Sequence, residues 1–141
     1  MADALSIALS GLQAQQTRLA ATASNIANAS TTGRVPGASS SAPASASSST
    51  APAVYSTVTV DFTSLESGGV KANVTANPNG YELAYDPSAS YANSDGYVAA
   101  PAVDLAQESV NLIETRTAYK ANISVIKTQD EMLGELLDTI A

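Results

Sequence analysis

The stretch DALSIALSGLQAQQTRLAATASNIANA, residues 3–29, decides the fold. Large apolar residues fall at Leu5, Leu9, Leu12, Leu19 and Ile26, with Gln16 and Ala23 at the intervening positions of the same line. Steps of three, four and seven keep side chains on one face of an α-helix. A line that repeats every seven residues is a seam for a second helix. Asp3 has the chemistry of an N-cap, because a short carboxylate can accept from the free amides of the first turn. Gly33 and Pro36 stop the helix.

Outward from that stretch, the other end of the chain repeats the pattern. Leu105, Leu112, Tyr119, Ile126, Leu133 and Ile140 recur every seven residues, and Ile123 and Leu137 fill the second seam position. Asp104 followed by Gln107 has the form of a capping box, with Asp in place of Ser or Thr. The expectation is a helix over 104–140 that pairs with the first through the two seams. Because the second helix is longer, its seam outruns its partner and leaves apolar surface for other chains.

Between the helices the pattern changes twice. Ala38 to Thr50 contains only Ser, Ala, Pro and Thr. Such a segment cannot bury enough surface to offset the entropy of ordering it, so 34–53 reads as a flexible tract. From Val54 to Phe62, residues alternate as in a half-buried strand. Val70 to Ala76 reads as a second strand after Gly68-Gly69, and Tyr81, Leu83 and Tyr85 share one face of a third after Asn79-Gly80. Residues 86–103 read as a loop. The class is α+β, with paired terminal helices and a small β-rich insertion. The expected division is a discontinuous helical domain over 1–33 and 104–141, the tract over 34–53, and a β-rich module over 54–103.

Composition removes whole classes of function. The net charge is −7 with six basic residues. Nucleic acid needs clustered Lys and Arg to neutralise phosphates, so it is not an expected partner. A membrane-surface binder needs a basic polar face on its amphipathic helix. Neither helix has one, so no lipid partner is expected, although this remains the rival reading from a different class. There is no Cys and no His, which removes thiolate chemistry and the commonest general base and metal ligand. The acids near Asp86 and Asp95 lack the spacing and bidentate Glu of a calcium loop. Neither a nucleophile elbow nor a glycine-rich phosphate loop occurs. No catalytic residue, metal, cofactor or small-molecule substrate is expected. Asp3 also stands where a secretory leader would carry a basic region, so no cleaved signal is expected.

Several ordered motifs resemble one family. Ala23-Ser24-Asn25-Ile26-Ala27-Asn28-Ala29-Ser30-Thr31-Thr32-Gly33, preceded by Ala8-Leu9-Ser10-Gly11-Leu12, is similar to the N-terminal signature of the bacterial flagellar rod and hook proteins. Gly69-Val70-Lys71, Tyr85-Asp86-Pro87, Asp95-Gly96-Tyr97-Val98 and Arg116-Thr117-Ala118-Tyr119-Lys120-Ala121-Asn122 follow in the order of that family's short proximal-rod branch. The resemblance spans roughly residues 5–33 and 68–138. Residues 34–53 depart from it, where the family carries a basic, Tyr-containing segment. It implies a structural role: terminal helices that stack around a rod axis, with copies of the chain and other rod subunits as partners. It also implies export by the flagellar type III apparatus, a place in the basal body, and transmission of torque. A subunit of the rod protein B type is the nearest rival. The expected interface residues are Leu5, Leu9, Leu12, Leu19, Asn25, Ile26, Asn28, Leu105, Leu112, Arg116, Tyr119, Asn122, Ile126 and Leu133, with the amides of Asn25 and Asn28 fixing register against neighbouring helices.

Overall fold

The structure, a computed structural model, describes residues 2–37 and 52–140. It contains helix α1 (Ala2–Asn28), strands β1 (Thr57–Ser64), β2 (Val70–Asn77), β3 (Tyr81–Tyr85) and β4 (Tyr97–Pro101), and helix α2 (Leu105–Ile140). The class is α+β, with long helices at both ends and antiparallel strands inserted between them. The expected flexible segment from Ala38 to Thr50 lies outside the described residues.

The chain divides into two compact units, each taking a piece of both helices. One comprises residues 1–22, 59–75 and 109–141, the other 23–58 and 76–108.

In the first unit α1 and α2 run antiparallel. A Cβ on Gly11 would lie 2.7 Å from Asn122 Nδ2, and Arg18 reaches Asn111 and Glu114, so numbers fall on one helix as they rise on the other. Glycine at position 11 leaves the space that the Asn122 side chain occupies. β1 and β2 form a hairpin whose Thr63 Oγ1 donates to Lys71 O at 3.5 Å and whose Asn73 Nδ2 donates to Thr63 Oγ1 at 3.2 Å. The start of β2 rests on α1: the amide of Val70 donates to Ser10 Oγ at 3.1 Å.

The second unit holds the tightest packing. β3 and β4 pair antiparallel with Tyr81 opposite Pro101 and Tyr85 opposite Tyr97. Val98 and Ala99 have no exposed surface. Gly33 exchanges two backbone bonds with Ala99, at 2.8 and 2.9 Å, which adds one residue to that sheet. The amide of Arg34 donates to Pro52 O at 2.8 Å. Asp104 caps α2, its Oδ1 accepting from the amides of Ala106 and Gln107 at 2.9 and 3.2 Å.

The structure departs from expectation at several points. Residues 97–101, read as loop, are a strand, because Ala and Pro gave no alternation for a pattern to find. The strands form two separate pairs and not one sheet of three. In β3 Leu83 and Tyr85 are exposed, and Tyr81 and Ala84, on opposite faces, are both partly covered. The tract's ends, Arg34 with Pro52 and Ala53, are held in a parallel bridge. Helix α1 also begins at Ala2, which places Asp3 within its first turn and not before it.

Candidate functional site

The seam expected on α1 is not the face that meets α2. The buried positions are Ala8, Gly11, Ala14, Ala21, Thr22 and Asn25; Gly11 lies against Asn122 and Asn25 against Glu108 of α2, while Ala14 lies beside Leu65 and Val70 of the hairpin. Each is followed within one or two positions by a member of the expected line, as Ala8 by Leu9, Gly11 by Leu12 and Asn25 by Ile26. One residue turns an α-helix by about 100°, so the expected line runs along the flank of the contact. Small side chains win the centre because they leave room for what packs against them, which large ones would fill. Leu5, Leu9 and Leu19 are accordingly about half exposed, while Leu12 and Ile26 are partly covered.

On α2 the line runs closer to expectation. Leu112, Tyr119, Asn122 and Ile126 are partly covered, and Thr115 is buried among them. Leu105 and Leu133 are exposed, as is Arg116. The structure therefore brings Leu112, Tyr119 and Asn122 to the helix contact, but leaves Leu5, Leu9, Leu19, Leu105 and Leu133 uncovered. α2 has 36 residues against 27 for α1, so nine extend past the paired length. That end carries Met132, Leu133, Leu136, Leu137 and Ile140, all exposed, the last at 78%. At about 1.5 Å per residue it projects roughly 13 Å.

Asn25 is 5% exposed and uses its whole amide within its own chain. Its Nδ2 donates to Val58 O at 2.9 Å and to Glu108 Oε1 at 2.7 Å. Its Oδ1 accepts from the Val58 amide at 3.0 Å, and the Tyr55 hydroxyl stands 3.1 Å away. The side chain thus imitates a neighbouring strand for Val58 while holding the start of α2. Asn28 is spent locally, its Nδ2 donating to Ser24 O at 2.8 Å. The register these two amides fix in this structure is internal.

Sequence reasoning passed over Arg18. Its Nη2 donates to Glu114 Oε2 at 2.7 Å and to Asn111 Oδ1 at 3.1 Å, and its guanidinium lies 6.0 Å from the Phe62 ring centre. It links α1, α2 and β1 within the first unit. The signal was available: it is the only Lys or Arg between Met1 and Gly33. Gly33, the last residue of the quoted motif, is a second such position. A Cβ there would stand 2.6 Å from the carbonyl carbon of Ala53, closer than atoms pack.

In the loop between β3 and β4, Asp86 accepts from the Ser88 hydroxyl at 2.5 Å and the Ser88 amide at 3.1 Å. Hydrogen bonding from that hydroxyl holds the Asp86 carboxyl below its ordinary range. The carboxylate is exposed and organises its own turn. Among the described residues no group of three or more His, Cys, Asp or Glu could hold a metal ion. Among the described residues no helix is long and apolar enough to cross a membrane. The surface that stands out is the uncovered apolar flank of both helices and the free end of α2.

Comparison with known proteins gives two family matches. A family described as flagella basal body rod protein matches residues 5–33. One described as flagellar basal body rod FlgEFG protein C-terminal matches residues 94–139. Flagellar basal-body rod protein FlgC of Salmonella typhimurium is 33% identical over 132 residues, spanning 93% of this chain and 91% of the relative. The FlgC of Escherichia coli O157:H7 is 32% identical over 132 residues with the same coverage. That of Bacillus subtilis is 27% identical over 141 residues, spanning 95% of this chain and 94% of the relative.

Proposed function

Because this chain belongs to the flagellar basal-body rod protein family, we propose that it is a structural subunit of the flagellar basal-body rod. The observation that carries this reading is the side on which the helices are left bare. Leu5, Leu9 and Leu19 on α1 and Leu105, Leu133 and Leu137 on α2 remain exposed after the two helices have paired. Exposed apolar stripes of that extent mark surfaces for other chains. The partners are other rod subunits and further copies of this chain, and the place is the basal body.

Within that reading the finer assignments follow. The chain takes the proximal-rod position that its own motifs imply and reaches it through the flagellar export apparatus. The terminal helices form the rod's core, and the β-rich residues between them lie outside it. Torque passes through the helices, which the Arg18 contacts to Asn111 and Glu114 hold against sliding. The exposed members of the expected interface set, including Arg116, meet neighbouring subunits. Leu112, Tyr119, Asn122 and Asn25 hold the subunit in shape for that contact. No catalytic step is assigned to it.

Imaging of basal bodies from a strain lacking the chain tests the role. The expected result is hook-less basal bodies with an interrupted rod; intact rods would refute it. Replacing Leu133 and Leu137 with Asp should abolish swimming while the chain is still exported, since neither side chain supports the fold. Normal swimming would remove the helix flank from the interface.

A further inference from the structure

The helix contact of the first unit leaves a groove of about 490 Å³ between α1 and α2, lined in part by Leu19, Leu112 and Tyr119. Two other lining atoms, Gln15 Oε1 and Thr115 Oγ1, are buried without a hydrogen-bond partner. Native proteins rarely leave such atoms unpaired. The last lining residue that matters here, Arg116, is exposed and has no ion-pair partner among the described residues. The groove therefore lacks apolar filling, a hydrogen-bonding group and a negative charge.

The free end of α2 carries these three features along one ridge. Met132, Glu135, Leu136 and Thr139 are spaced i, i+3, i+4 and i+7 and all are exposed. Met132 and Leu136 supply the filling and Glu135 the charge. The Thr139 hydroxyl, now donating to Glu135 O at 2.8 Å, can turn to the unpaired atoms. No Lys or Arg follows Lys127, so the end is uniformly acidic. It is already helical, so docking orders little new backbone. It cannot fill its own groove, because Leu136 lies 20 residues beyond Arg116 on the same straight element, about 30 Å away.

Resting on the rod-subunit reading, we infer that the ridge from Met132 to Thr139 of one copy docks in the groove of the next, with Glu135 paired to Arg116. The contact joins two different surfaces, so it repeats from copy to copy and does not close as a symmetric dimer.

The absence of cysteine makes the test clean. Gln16→Cys and Leu136→Cys, both at exposed positions, are placed together in the full-length chain, and basal bodies from the complemented strain are oxidised. The expected result is disulfide-linked dimers and higher multiples of the chain, absent from each single variant. Adding Arg116→Glu should lower the cross-linked fraction at least tenfold, and adding Glu135→Arg as well should restore it. Rods that contain the double-cysteine chain only as monomer would overturn the inference and leave the rod role standing. A cross-link to a subunit of different mass would also overturn it, by naming another occupant. Absence of the wild-type chain from basal bodies would instead overturn the rod reading. The purified double-cysteine chain, oxidised in solution, would then decide the docking by itself, monomer counting against it.

Discussion

Replacing Asn25 with Asp changes one nitrogen to oxygen and should be among the most damaging conservative substitutions available. The introduced carboxylate keeps the acceptor for the Val58 amide but turns an oxygen towards Val58 O and towards Glu108 Oε1, now 2.9 and 2.7 Å from Nδ2. Two unit charges at that separation repel by about 6 kcal/mol at an effective dielectric constant of 20. Keeping a proton on one carboxyl at pH 7, about three units above its ordinary value, costs about 4 kcal/mol. The cheaper route prevails, so the folded variant holds an extra proton. A single O–H then serves either Glu108 or Val58 O, and the unmet acceptor adds about 1 kcal/mol. The expected loss at pH 7 is about 5 kcal/mol. The native state binds a proton that the unfolded chain has released, so stability rises as pH falls. Between pH 7 and pH 5 the variant should recover about 3 kcal/mol, a recovery the wild type has no cause to share at this site. Urea unfolding followed by far-ultraviolet circular dichroism at both pH values measures this. Glu108→Gln in the same chain should restore most of the loss at pH 7, since its amide donates where the carboxylate repelled. A variant within about 1 kcal/mol of wild type at pH 7, or a deficit that does not shrink by pH 5, would refute the account of this hub.

The two close-packed glycines should respond differently to alanine. At Gly11 the obstacle is the mobile tip of Asn122, so Gly11→Ala should be near neutral in urea unfolding, a helix-propensity gain of about 1 kcal/mol offsetting the shift of Asn122. At Gly33 the obstacle is backbone, so Gly33→Ala should cost about 3 kcal/mol and speed hydrogen exchange at the Ala99 amide. Asp104→Ala removes the acceptor for two amides and should lower stability by about 1 kcal/mol, seen in the same unfolding assay. Asp86 contributes stability above its unfolded titration range, lost as pH falls through its depressed folded value. Titration of its carboxyl carbon by nuclear magnetic resonance should give a midpoint below that of an unstructured Asp, and Ser88→Ala should raise it.

The helices were legible because a seven-residue repeat survives the noise of composition, and Asp104 announced its cap through the amides it could reach. The side on which α1 packs was not. Leucine drew attention by its size, yet the position that lies against Asn122 of α2 is Gly11, whose value is the space it does not occupy. A glycine in the middle of a helix is unfavourable by itself, and Gly11 was the available clue. Strand β4 escaped for a related reason: Val98 and Ala99 are buried by Gly33 and by β3, partners that no local pattern can indicate. The motif marks Asn25 as an amide to place, but its partners Val58 and Glu108 lie 33 and 83 positions away. Sequence gave the chemistry of the amide and not its direction.

A helix pair joined through alanine, glycine and threonine removes little oily surface from water. The heat capacity of unfolding follows that surface, at about 12–15 cal/mol/K per residue in ordinary domains. For a chain of 141 residues the ordinary value is about 1.7–2.1 kcal/mol/K, and this subunit should fall below it. Its stability curve is correspondingly flat. The joint between the helices then keeps nearly the same strength in a cold cell as in a warm one.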